Sequence, residues 1–117
     1  MDRESFLTKI EEYLISVGFD KIEDTFISKR QVQQPGQTMI INGKRMMNPG
    51  QVIDVKFEVL LVGPGSMLNK NGECERKFDV IEFHIIQNGE YMVDYSNSFN
   101  WDEFGIFKMY CEKIFNI

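Results

Sequence analysis

Cysteine and histidine are scarce in this chain, and each shortage excludes something. Two cysteines, Cys74 and Cys111, cannot staple a disulfide framework and lack a C-x-x-C spacing. With one histidine, His84, a closed zinc site would be short of ligands. Free thiols in a reducing compartment are the simpler expectation. No apolar run approaches the roughly 20 residues that span a bilayer. The opening MDRESFLTKIEEYL sets charges where a signal peptide would be apolar, so a cytoplasmic protein is expected. No Walker-type or dinucleotide glycine pattern occurs, and no cofactor is expected.

Acidic residues are absent from one long stretch. Between Thr25 and Ile53 there is no Asp or Glu, while Lys29, Arg30, Lys44 and Arg45 add four positive charges. The chain as a whole has 13 basic and 18 acidic residues, a net charge of -5. Setting those four cations aside leaves the remainder at -9, nine basic against eighteen acidic. Such a surface disfavours indiscriminate nucleic-acid binding, yet it holds one basic segment.

What is present is a globular composition rich in phenylalanine: 117 residues, 43% hydrophobic, with 10 Phe. The length suits one domain, 1–117. Phe6, Leu7, Ile10, Tyr13, Leu14 and Val17 recur at helical spacing, which predicts a helix over 3–17. Asp2 or Ser5 would cap it, and Gly18 would end it. Thr25–Val32 reads as a strand. Thr38–Ile41 and Lys44–Met47 flank Asn42-Gly43, the pair best suited to a type I′ hairpin turn. Gln51–Val62 alternates cleanly, with Ile53, Val55, Phe57, Val59 and Leu61 facing one way. Gly63-Pro64-Gly65 is expected to stop that strand, and 66–75 to be a polar loop turning at Asn71-Gly72. Lys77–Ile86 is a second long strand, joined through Gln87-Asn88-Gly89 to Tyr91–Tyr95. Asn100–Phe115 is a second helix, with Asn100 and Glu103 in the capping-box pattern. The fold class expected is α+β. It comprises two layers: an N-terminal helix, a five- to six-stranded mainly antiparallel meander sheet and a C-terminal helix, with both helices on one sheet face.

The Pro-Gly pairs Pro35-Gly36 and Pro49-Gly50 bracket the 38–47 hairpin and read as punctuation, not as a repeat. That hairpin is short, basic near its turn and rich in methionine, so it is a candidate projecting arm. Lys29, Arg30, Met39, Lys44, Arg45 and Met46 are the candidate partner-binding residues.

Two constellations could carry chemistry. Asp54-Val55-Lys56 on an apolar strand resembles half of the PD-(D/E)xK nuclease signature, a resemblance of three residues. It implies Mg²⁺ held by Asp54 and a phosphate-facing Lys56, with Asp20 or Asp24 as the second acid. Asp54, Glu58, Glu82 and His84 would also converge if the two long strands pair in a suitable register. Both sets are better read as the solvated face of an amphipathic strand, so no catalytic or metal-binding residue is assigned. The leading expectation is a small non-catalytic protein-binding domain, of the inhibitor, immunity or adaptor type, from a bacterium or mobile element. A nucleic-acid-binding accessory protein using 29–45 is the alternative, and a metal-dependent hydrolase using Asp54, Lys56 and Glu82 is a weaker one. Homo-oligomerisation through an exposed edge strand is compatible with the first.

Overall fold

The structure, a computed structural model, describes residues 2–33, 36–48 and 50–117, with the side chains of 37, 48 and 74–76 excepted. Pro35 and Pro49, read above as punctuation, lie outside the described residues, as does the thiol of Cys74. The elements in chain order are α1 (Arg3–Ser16), β1 (Asp20–Ile22), β2 (Thr25–Gln33), β3 (Gln37–Ile41), β4 (Lys44–Asn48), β5 (Val52–Leu68), β6 (Cys74–Gln87), β7 (Glu90–Asn100) and α2 (Phe104–Phe115). Five strands form one sheet in the order β1-β2-β5-β6-β7, all neighbours antiparallel. β3 and β4 form a two-stranded sheet of their own. Among the described residues no helix is long and apolar enough to cross a membrane.

Local chemistry accounts for these elements. Asp2 caps α1, its carboxylate accepting from the Ser5 amide at 2.8 Å. Gly18 takes φ +97° just past the helix, and the Phe19 amide returns to the Leu14 carbonyl at 2.9 Å. That reversal drives the Phe19 ring into the core. Asn42-Gly43 and Asn88-Gly89 both hold positive φ, at 53° and 76° and at 53° and 78°, the values a type I′ turn needs.

Alternation on the long strands sends one set of side chains toward both helices. Val55, Phe57 and Val59 from β5, Ile81 and Phe83 from β6, Phe26 from β2 and Phe99 from β7 are buried against Phe6, Ile10 and Leu14 of α1 and Phe107, Cys111 and Phe115 of α2. Phe83 sits among the rings of Phe99, Phe107, Tyr110 and Phe115, with centroids 5.8–6.3 Å away. A buried carboxylate ties the layers together at one end. Asp79 of β6 is 1% exposed and accepts from Arg3 Nε at 3.1 Å, Arg3 Nη2 at 3.1 Å and Trp101 Nε1 at 2.9 Å.

Several details depart from the sequence reading: β1 was not expected, and β7 runs on from Tyr95 to Asn100. Gly63-Pro64-Gly65 does not stop β5, which runs on to Leu68 through a register shift between Leu61 and Gly63. β2 pairs with β5 only as far as Leu60, so Pro64 lies where one side of β5 has no ladder to feed, the place a strand tolerates proline. Only the turn between Asn69 and Glu73 remains of the expected 66–75 loop. The second helix begins at Phe104, not near Asn100. Asn100 ends β7 and its Nδ2 donates to Glu103 Oε1 at 2.6 Å, but Glu103 is the residue at the cap and its side chain makes no capping bond. The segment is instead a turn closed by the Glu103 amide donating to the Asn100 carbonyl at 3.0 Å, with the Trp101 indole held by Asp79.

The molecule is long, 73 × 31 × 24 Å, with a radius of gyration of 19.4 Å. A compact chain of this length would have about 13 Å. The excess comes from β5 and β6 running past the helices at one end, and from the β3–β4 arm beyond β2 and β5 at the other.

Candidate binding surface

β3 and β4 continue the ribbon of β2 and β5 in the same register. Gln33 pairs with Val52 and Gln37 with Asn48, so the step along one strand equals the step along the other. The Gln33 side-chain amide donates to the Gly50 carbonyl at 3.1 Å across the neck. An isolated two-stranded hairpin is marginal in water, and this in-register root together with the Asn42-Gly43 turn is what supports it.

The pairing distributes the candidate residues over both faces of the arm. Met39 pairs with Met46 and Ile41 with Lys44, which puts these four on one face. Ile40 pairs with Arg45 and Thr38 with Met47, which puts these on the other. Both faces are open. Ile40 is 75% exposed and Met47 79%, and Met39, Ile41 and Met46 are exposed as well. Lys44 and Arg45 are exposed and make no ion pair among the described residues. The structure therefore gathers Met39, Lys44 and Met46 on one face and sets Arg45 behind them.

The other two candidates part company. Lys29 is exposed on the sheet face away from the helices, directly opposite Lys56 of β5. Arg30 points to the helix side and is held by the fold. Its guanidinium donates to the Val17 carbonyl, its Nε reaches Ser28 Oγ at 3.0 Å, and its Cζ lies 5.3 Å from the Phe57 ring centroid and 5.8 Å from that of Phe19. Three of the four cations in the acid-free segment are thus exposed, and Lys44 and Arg45 face opposite ways.

The polar sheet face assembles around His84. Glu58 and His84 are cross-strand partners, and His84 Nδ1 donates to Glu58 Oε1 at 3.0 Å, because a carboxylate can only accept. Nε2 lies 3.4 Å from Asp94 and 3.7 Å from Glu82, and Tyr91 packs edge-on against the imidazole at 5.1 Å. Burial works against the charge of Glu58, but hydrogen bonds from His84 and Lys56 outweigh it and hold the carboxyl below its usual range. Asp54 stands outside this group, paired with Gln31. Asp94 was not foreseen, because only the β6–β7 register brings it opposite His84.

The nuclease-like set is not brought together. Asp20 pairs with Ile27, which is level with Glu58, and the Asp24 carbonyl accepts from the Leu61 amide. Both acids therefore lie at least four residues along β5 from Asp54, about 13 Å at strand spacing. Among the described residues no group of three or more His, Cys, Asp or Glu has an arrangement that could hold a metal ion. Ser96 pairs with Glu82 across β6 and β7 and so shares the His84 face, whereas Ser28 is buried on the helix side and Cys111 is in the core, its thiol pushed up to about 12 by burial and by Glu112. Comparison of the chain with family models, curated proteins and solved structures finds no match.

Proposed function

We propose that this protein is a non-catalytic binding module that engages a protein partner through the β3–β4 arm. One observation carries the reading: the arm exposes five large apolar side chains, on both of its faces, at the end of an elongated domain. Exposed apolar patches of this kind mark contact sites, and flexible methionines adapt to the surface they meet. Lys44 and Arg45 on an otherwise acidic molecule add an orienting charge, which favours an acidic partner surface. Affinity capture from the source cells tests the reading. The wild-type chain retains a stoichiometric protein partner, and the variant Lys44→Glu/Arg45→Glu loses most of it. Equal capture by the two would remove the arm from the contact.

A further inference from the structure

β5 outruns its neighbour at the root of the arm. Its ladder with β6 ends at Lys56 and Ile86, where Asn88-Gly89 turns the chain back, while its ladder with β2 continues to Val52 and Gln33. Val52–Val55 is therefore a sheet edge on the side that β6 has left.

The direction of its backbone groups follows from alternation. The Leu61 amide donates toward β2, to the Asp24 carbonyl at 3.0 Å, and the β2–β5 register has no shift. Odd-numbered residues of β5 thus turn their N–H and C=O to β2, and even-numbered ones turn away. Val52 and Asp54 present theirs to the open edge. Beside that edge is an open notch of about 590 Å³, with Lys29, Lys56, Ile86 and Asn88 among its walls.

The charges of the notch are only partly resolved within the chain. By the same alternation, Lys29 and Lys56 form a non-hydrogen-bonded cross-strand pair, the kind in which side chains come closest, and like charges there are unfavourable. Lys56 reaches Glu58 at 3.3 Å, but Lys29 makes no ion pair among the described residues. Asp54 also lines the notch and pairs with neither lysine.

Resting on the binding-module reading, we propose that the notch receives an extended acidic segment of the partner protein. The segment adds as a strand to β5 at Val52 and Asp54, in the place β6 vacates, and sets a carboxylate against Lys29 and Lys56. Backbone pairing supplies the attachment and the lysines supply the selection.

The test uses the full chain labelled with ¹⁵N and two synthetic hexapeptides, one alternating Val and Glu, the other alternating Val and Lys. The Glu peptide slows amide exchange at Val52 and Asp54 at least tenfold at saturation, and the Lys peptide leaves it unchanged. Asp54→Pro removes the outward N–H and keeps the β2 ladder, so the fold is retained and peptide binding is lost. Lys29→Glu/Lys56→Glu, which touches no ladder bond, weakens the Glu peptide at least tenfold. No slowing at millimolar peptide overturns the proposal, as does equal binding of both peptides. Slowing that appears without peptide and grows with protein concentration assigns the edge to a second copy and also overturns it. If Lys44→Glu/Arg45→Glu loses the captured partner while the notch variants change nothing, the notch proposal falls and the arm reading stands.

Discussion

Replacing Asp79 should cost this domain more than any change on its arm, and the structure says how much. Asp79→Ala removes the acceptor of the Trp101 indole N–H and of the Arg3 guanidinium. A hydrogen bond to a buried charged group contributes about 1.5–3 kcal/mol. The Trp101 bond, on a carboxylate 1% exposed, belongs at the middle of that range. The Arg3 side chain is 41% exposed and water takes over its donors, so its share is nearer the ~1 kcal/mol of a partly exposed pair. Asp79→Ala is therefore expected to destabilise by about 3 kcal/mol. Arg3→Ala alone, which strands a buried carboxylate on one donor, costs about 2–3 kcal/mol. The double variant should lose about 3 kcal/mol and not the sum, a coupling of about 2–3 kcal/mol. Urea unfolding followed by far-UV circular dichroism measures all three, and Trp101, the single tryptophan, supplies a fluorescence check at the site itself. Additivity within about 0.5 kcal/mol would refute the claim that Asp79 joins α1 to the β7–α2 turn as one unit.

Other expectations are smaller. A Cβ at Gly65 would lie 2.6 Å from Phe78 Cε2, so Gly65→Ala should lower stability by about 1–3 kcal/mol, and Phe78→Leu should recover part of that loss. Gly105 has open space around it on α2, so Gly105→Ala should raise the urea midpoint, by about 0.5–1 kcal/mol in stability. Because Glu58 sits below its usual pKa in the folded state, it contributes stability above the unfolded carboxyl range that is lost as pH falls through the folded value. Between pH 6 and pH 3 the wild type should therefore lose more stability than Glu58→Gln, and parallel losses would contradict this.

The helix α1 and both Asn-Gly hairpins were legible because the signals are local: a capping Asp2, a terminating Gly18, and two residues that tolerate positive φ. The alternation of Val55, Phe57 and Val59 gave the core face of β5 for the same reason. What could not be read depends on neighbours. Whether Gly63-Pro64-Gly65 breaks a strand is decided by which strands flank it, and β2 has already ended there. The helix expected from Asn100 starts only at Phe104, and nothing local says that Asp79, distant in sequence, holds the Trp101 indole. Arg30 looked like a surface cation until the fold placed Phe19, Phe57 and the Val17 carbonyl around it. At the candidate site, composition pointed to residues 38–47, whereas the Lys29–Lys56 encounter and the open edge at Val52 and Asp54 require the strand lengths and the register.

The role of the arm is tested most directly by hydrogen–deuterium exchange of residues 38–47, in the free protein and in the complex with its captured partner. In the free chain the exposed arm should exchange far faster than the core strands around Phe83. Binding of the partner should slow the arm's amides at least tenfold and leave the core unchanged. A stoichiometric complex in which the arm exchanges as fast as in the free protein would contradict that role.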